Sequence, residues 1–406
     1  MGELVYLYKG KTEIPTLQMV DDILAIQKCS LKSKKLNAAI NTFMDLEKLT
    51  LSSQKCSVIH VGNDMSHEFS LKIHDCDMKS SKVEKYLGDL ISECGTNRVN
   101  IENRQAKGIG YVSQILNIIT EIPLGHWYVH SGLRLRQAML INGIMFNSEA
   151  WHSLTDRDME IIEKVDESLL RGILSAHAKT PKETLYLETK SVPLRYILKS
   201  QRIMYLHNIL NKSENELIRR VFEVQRCEMT KGDFVELVME DIGCLQLDLT
   251  FEKISKITKA NLKKMVKEGM EKSAFEYLCE IQKSHSKARP IVYENFEMQE
   301  YLGSQKFSTE YRNLLFRLRT RTVQGIKSDF KGWYDDILCP FGCNTEDTLK
   351  HVIECKVLTE GNQLIKDTIR YEDVFSKELE KQYNVTRIYS NLLEARNTKL
   401  TNLASG

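Results

Sequence analysis

The apolar and polar positions near the start of the chain predict a strand, a polar turn and a second strand. Apolar residues dominate positions 14–20 and 23–26, and Asp21 and Asp22 lie between these two runs. Two apolar runs separated by a polar pair are typical of a β-hairpin. At residues 31–49 the apolar side chains fall three or four positions apart, which predicts an amphipathic helix.

The pattern then changes along the chain. Three further β-like runs cover residues 56–62, 68–74 and 82–92. From about residue 101 the apolar spacing is helical almost throughout, and the clearest helices are predicted at residues 156–174, 192–210 and 251–283. We therefore predict an α+β fold that is mainly α, with domains at residues 1–95, 96–282 and 291–406 and a polar, basic linker at 283–290.

Composition and charge exclude several classes of protein. The chain has 406 residues, of which 42% are hydrophobic and 28% are charged, as in ordinary folded proteins. Its net charge is only +2, so any nucleic-acid surface must be a local patch. Neither a signal peptide nor an apolar run long enough to span a bilayer is evident, which predicts an intracellular protein, nuclear or cytoplasmic, without a membrane partner. The ten cysteines show no disulfide framework and are predicted to be reduced.

A cluster of cysteine and histidine gives the strongest chemical signal. Cys339, Cys343, His351 and Cys355 follow the spacing C-x3-C-x7-H-x3-C. Two thiolates across a tight turn, followed by His and Cys four positions apart on a helix, can surround one Zn²⁺. Four protein ligands leave no position open for water, so the predicted zinc is structural. The alternative is a chance grouping of reactive side chains on a surface loop.

A basic segment precedes this cluster. Between Lys306 and Lys331 there are seven basic residues and two acidic ones, a net charge of +5. Arginine matches phosphate geometry, and aromatic residues among the cations, including Phe330 and Trp333, offer stacking surfaces. The alternative is a solvated helix face beside an aromatic core stripe. The residues predicted to bind nucleic acid are Arg312, Arg317, Arg319, Arg321, Lys327 and Lys331.

The Asp21-Asp22 pair is the third candidate. Adjacent carboxylates at a hairpin turn can bind Mg²⁺ for two-metal phosphoryl transfer. Taken alone, such a pair is more often ordinary turn chemistry.

The order of these features along the chain resembles a known family. Residues 18–24 (QMVDDIL) look like the Asp-Asp hairpin of reverse transcriptases, in the variant of non-LTR (LINE-type) retrotransposons. The segment 51–62, with its Lys55-Cys56 pair, is similar to a later part of the palm, and residues 85–89 (KYLGD) resemble the turn that grips the primer. The helices with Trp151 resemble the thumb and connector, and the basic segment and Cys-Cys-His-Cys motif resemble the C-terminal zinc knuckle. The resemblance spans residues 12 to about 357.

The resemblance implies roles for individual residues. Asp21 and Asp22 would lie at catalytic Mg²⁺, Lys55 would stand near the incoming nucleotide as a proton donor, and Tyr86, Leu87 and Gly88 would contact the primer. The implied partners are an RNA template and target DNA. The earlier metal-binding aspartate, the fingers and the family's endonuclease have no counterpart here. We therefore expect a truncated RNA-directed DNA polymerase that polymerises little alone and still binds RNA or DNA.

Two rival hypotheses remain open from the sequence. One is a non-enzymatic, zinc-dependent nucleic-acid-binding protein in which only the C-terminal unit matters. The other is an inactive helical remnant. The sequence does not indicate an oligomeric state.

Overall fold

A computed structural model shows a protein that is mainly helical. It describes residues 6–7, 12–13, 16–19, 22–26, 30–48, 52, 56–61, 72–73, 76–121, 125–151, 154–228, 231–330, 332–360 and 369–405. The predicted mainly α character is confirmed over these residues.

The α-helices follow one another through most of the described chain. They are α1 Ser30–Leu46, α2 Arg98–Glu121, α3 Tyr128–Leu135, α4 Asn142–Ile144, α5 Asp156–Ile173, α6 Lys182–Thr189, α7 Leu194–Leu210, α8 Leu217–Glu228, α9 Phe234–Cys244, α10 Phe251–Lys256, α11 Lys259–Ser284, α12 Thr309–Arg319, α13 Leu349–Glu354, α14 Lys356–Thr359 and α15 Leu379–Ser405.

Short strands in two-stranded sheets occupy the first hundred residues. The strands are β1 Tyr6–Leu7, β2 Thr12–Glu13, β3 Thr16–Met19, β4 Asp22–Ala25, β5 Ser57–Val58, β6 Lys72–Ile73, β7 Cys76–Asp77, β8 Lys79–Ser80, β9 Val83–Tyr86 and β10 Asp89–Ser92. β3 and β4 pair antiparallel with Met19 opposite Asp22, which confirms the predicted first hairpin. β9 and β10 form a second hairpin, whereas β5 and β8 pair in parallel.

Three predicted helices match the structure closely, and a fourth is interrupted. Helices α1, α5 and α7 lie where the apolar spacing places them, but the predicted helix at 251–283 is two helices, α10 and α11. At the break Thr258 caps the start of α11, because its hydroxyl accepts a hydrogen bond from the Asn261 amide at 3.3 Å. A ring nitrogen of His207 lies 3.0 Å from the Ile257 carbonyl, so this distant residue satisfies a polar group at the break.

Contacts group the chain into two compact units, each built from three separate segments. Unit 1 comprises Met1–Ala106, Met145–Ile162 and Ile197–Gly269, and unit 2 comprises Lys107–Ile144, Glu163–Tyr196 and Met270–Gly406. This grouping differs from the consecutive domains predicted from the sequence. The fully buried Phe222 lies in unit 1, and the fully buried Tyr301, Phe316 and Tyr389 lie in unit 2.

The segment predicted as a linker, residues 283–290, packs within unit 2. Ala288 is completely buried, and the Gln282 amide donates to its carbonyl and to that of Ile291. The Lys287 ammonium donates to the Arg321 carbonyl at 3.3 Å. These bonds fix the segment against the chain that follows it.

None of the helices in the described part of the chain combines the length and apolar composition that crossing a membrane requires.

Candidate functional site

A small hairpin in unit 2 positions the first two predicted zinc ligands. The Cys339 amide donates to the Thr345 carbonyl at 2.8 Å, and the Asp347 amide donates to the Ile337 carbonyl at 2.8 Å. Gly342 adopts a φ of +77°, in the left-handed region that favours glycine. The resulting tight turn carries Cys339 and Cys343 on one side, as the Pro-Phe-Gly sequence between them predicts.

The next element supplies the other two ligands. Thr348 caps α13, because its hydroxyl accepts from the His351 amide at 3.0 Å. His351 lies in the first turns of this helix and Cys355 directly follows its end, four positions later. The Tyr389 hydroxyl donates to the Leu349 carbonyl at 2.8 Å and so attaches α13 to α15.

The four side chains converge on one point. Their ligand atoms all lie within 4.8 Å of one another, and the Sγ atoms of Cys343 and Cys355 are 3.7 Å apart. Two thiolates bound to the same tetrahedral Zn²⁺ at about 2.3 Å would be separated by about 3.8 Å. Cys339, His351 and Cys355 are buried. The arrangement can bind a zinc ion, in agreement with the sequence prediction.

Polar groups around the cluster also fit a metal. His351 Nε2 is buried and has no hydrogen-bond partner among the described residues, which is costly unless a metal uses its lone pair. His351 Nδ1 lies 3.4 Å from the Thr345 hydroxyl, which can hold the ring in the required tautomer. Burial and the neighbouring sulfurs raise the pKa of Cys343 to about 12. A bound cation would supply the charge that stabilises the thiolate.

A buried ion pair that sequence reasoning missed supports the cluster. Asp347 Oδ2 accepts from Arg396 Nη2 at 2.7 Å and from the Lys327 amide at 3.0 Å, and the Asp347 side chain is inaccessible to solvent. Arg396 belongs to α15, 49 residues later. No local pattern marks such a pair, since its partners meet only after folding.

Two of the predicted nucleic-acid-binding arginines are buried. Both Arg312 and Arg319 are 3% exposed. Arg312 donates to the Gly125 carbonyl at 2.8 Å. Arg319 donates to Glu188 through Nε at 3.1 Å and Nη2 at 3.0 Å, and to the Val374 carbonyl at 2.9 Å. These guanidinium groups therefore connect α12 to distant parts of unit 2, and a phosphate could reach them only if this packing opened.

Glu188 is the centre of the second of these networks. Its carboxylate is completely buried and also accepts from the hydroxyls of Tyr293, at 2.7 Å, and Tyr301, at 2.8 Å. Burial and the neighbouring carboxylate raise the pKa of both tyrosines far above its usual value. Glu188 is therefore a structural acceptor for three side chains.

Three of the other four predicted basic residues are partly exposed and also have internal partners. Arg317 donates through Nη2 to the Ser175 carbonyl at 3.0 Å. Arg321 donates to Asp329 at 3.2 Å, and the Lys327 ammonium lies 3.4 Å from Asp336. Lys331 lies outside the described residues.

The segment predicted to contact a primer is the tip of the β9–β10 hairpin in unit 1. Leu87 and Gly88 connect β9 to β10 with φ angles of +47° and +95°. Arg104 Nη2 donates to Asp89 Oδ1 at 2.6 Å and lies 3.3 Å from the Gly88 carbonyl. The Asn147 amide lies 3.4 Å from the Leu87 carbonyl. The tip is thus attached on two sides, while Leu87 itself is 43% exposed and Tyr86 is half-buried.

The predicted catalytic residues fall largely outside the described part of the chain. Asp21 and Lys55 are not among the described residues, and only the backbone of Asp22, at the start of β4, is described. Their predicted contacts with Mg²⁺ and with a nucleotide stay predictions.

Comparison of the chain with known protein families, curated proteins and solved structures finds no match.

Proposed function

We propose that this protein binds RNA or DNA through a zinc-stabilised C-terminal unit, and that it is related to the C-terminal part of non-LTR reverse transcriptases. The observation that carries the proposal is the convergence of Cys339, Cys343, His351 and Cys355 on one point. Four ligands leave no open coordination position, so zinc would fix the fold around it and take no part in chemistry.

Two features of unit 1 support the proposed relationship. Asp22 is the first residue of β4 and pairs with Met19, the last residue of β3, which is compatible with the resemblance to the Asp-Asp hairpin. The tip at Leu87 and Gly88 is fixed by Arg104 and still presents an exposed apolar side chain, which suits contact with a nucleic-acid strand. In an active polymerase Asp21 and Asp22 would bind Mg²⁺.

The binding proposal is tested on the full chain with a fluorescent 20-nucleotide RNA and the matching DNA. We expect fluorescence anisotropy to rise with protein concentration and the affinity to fall steeply with salt, since each neutralised phosphate releases counterions. Cys343→Ser should weaken binding, whereas the matched variant Cys244→Ser, an exposed cysteine away from the cluster, should not.

Two results would count against the proposal. Absence of salt-dependent binding to either nucleic acid would refute the binding function. Primer extension on an RNA template, measured with and without Asp22→Asn, tests the relationship separately. We expect little or no extension by either protein. Robust extension by the wild type that is lost in Asp22→Asn would show an active polymerase and overturn the expected loss of polymerisation.

A further inference from the structure

An exposed tryptophan lies on unit 2 close to the zinc cluster in sequence. The Trp333 side chain is 64% exposed, whereas its neighbour Phe330 is 3% exposed. The two ring centroids are 5.5 Å apart with an interplanar angle of 33°, and the Trp333 amide donates to the Phe330 carbonyl at 3.0 Å. One exposed aromatic residue is common on protein surfaces. Trp333 differs from such a residue in the charged and polar side chains that lie around it.

Cationic and imidazole side chains surround the aromatic pair. The Lys179 ammonium lies 4.1 Å from the centroid of the Trp333 ring, and the Lys287 ammonium lies 4.8 Å from that of Phe330. The His177 ring centroid is 5.0 Å from that of Phe330 and 6.1 Å from that of Trp333. Residues from three separate parts of unit 2 thus form one surface.

The local charge of this surface is positive. Burial lowers the pKa of His177, and the nearby charges of Lys287, Lys179 and Arg317 lower it further. The neighbouring Asp329 is buried and forms an ion pair with Arg321. Within the described ranges, Lys179 forms no salt bridge with a carboxylate. Its charge therefore stays available to an anionic partner.

The loop that carries His177 and Lys179 is fixed before any ligand arrives. Arg171 donates from Nη1 to the His177 carbonyl at 3.0 Å and from Nη2 to the Thr180 carbonyl at 2.9 Å. The Lys179 amide donates to His177 Nδ1 at 3.1 Å. A preformed loop loses little conformational entropy on binding, which favours affinity.

We propose that Trp333, Phe330, His177 and Lys179 form a binding site for single-stranded nucleic acid, in which an unpaired base stacks on the indole and Lys179 contacts the adjoining phosphate. The 64% exposed Trp333 side chain, with Lys179 beside its ring, suits this ligand, because unpaired bases stack on aromatic side chains and phosphates neutralise lysines. Duplex bases have no free face to offer. The inference rests on the proposed nucleic-acid-binding function and assigns that function to a surface.

The test uses the zinc-loaded full chain with labelled 12-nucleotide oligo(U) and oligo(dT), and with a 12-base-pair duplex. Trp333→Ala should weaken binding of the single strands about tenfold, which corresponds to about 1.4 kcal/mol of lost stacking, and Trp333→Phe should restore most of it. Trp127→Ala is the matched control, because Trp127 is 55% exposed but has no lysine over its ring among the described contacts. Lys179→Ala should weaken binding. It should also reduce the slope of log affinity against log salt concentration by about the amount that one phosphate contact contributes.

The outcomes separate this inference from the function on which it depends. If the wild type binds the single strands but Trp333→Ala and Lys179→Ala bind as Trp127→Ala does, the site is wrong and the function stands. Equal weakening of duplex and single-strand binding by Trp333→Ala would also overturn the stacking site. If the wild type binds none of the three probes, both proposals fail. A preference for oligo(U) or oligo(dT) would identify RNA or DNA as the source of the base.

Discussion

The buried ion pair between Arg319 and Glu188 gives a prediction that distinguishes an internal role for this arginine from phosphate binding. The perturbation is Arg319→Met, which preserves much of the side-chain length and removes the charge. In the wild type the guanidinium donates twice to Glu188, at 3.1 and 3.0 Å, and once to the Val374 carbonyl. The substitution would leave Glu188 with only its bonds to two tyrosine hydroxyls.

The magnitude follows from burial. Glu188 is inaccessible to solvent and the Arg319 side chain is 3% exposed, so neither group recovers its hydration when the other is removed. Removing one partner of such a pair costs about 3–5 kcal/mol. We expect Arg319→Met to lower the free energy of unfolding by this amount. The exposed Arg387→Met should change it by less than about 0.5 kcal/mol.

Urea denaturation followed by circular dichroism measures the difference. The double variant Arg319→Met/Glu188→Gln should lose much less free energy of unfolding than the sum of the losses in the two single variants, because the two residues share one interaction. The reasoning is refuted if Arg319→Met unfolds at the same urea concentration as Arg387→Met and instead loses affinity for RNA. That result would show that Arg319 contacts phosphate.

Two further predictions concern Gly342 and Asp329. Gly342→Ala should destabilise the protein by about 1 kcal/mol and weaken zinc affinity, because alanine is strained at a φ of +77°. Equal thermal stability and equal zinc affinity of the variant and the wild type would contradict this. Burial raises the pKa of Asp329 to about 6 from its usual 3.8, so the folded state holds an extra proton between these values. Its contribution to stability should therefore fall by about 2 kcal/mol as the pH rises from 4 to 6. Asp329→Asn should lose this part of the pH dependence, and identical slopes for the two proteins would refute the assignment.

Individual helices and hairpins could be predicted because the pattern of apolar and polar residues within each segment determines its secondary structure. The spacing of apolar residues determined α1, α5 and α7, and two apolar runs around a polar pair determined the β3–β4 hairpin. The cluster of three cysteines and one histidine could be predicted for the same reason. All four residues lie within 17 positions of sequence, on a tight turn and on one short helix and the residue that follows it. Their spacing in the sequence therefore largely fixes their positions in space.

The arrangement of charged residues could not be predicted in this way. Arginines at 312 and 319 look alike in the sequence whether they face solvent or pair with a buried carboxylate. The partner of Arg319 lies 131 residues away, and that of Arg396 lies 49 residues away. The same limit applies to the surface at Trp333, because Lys179 and His177 join it only through the fold.

Metal content is the most direct test of the central claim, that the Cys339–Cys355 cluster is a structural zinc site. Protein purified without added metal should contain about one zinc per chain by mass spectrometry, and its Co²⁺-substituted form should show the visible absorption of tetrahedral thiolate coordination. Cys343→Ser should lose the zinc, and the control Cys244→Ser should keep it. Zinc absent from well-folded wild type, or retained in full by both variants, would contradict the account.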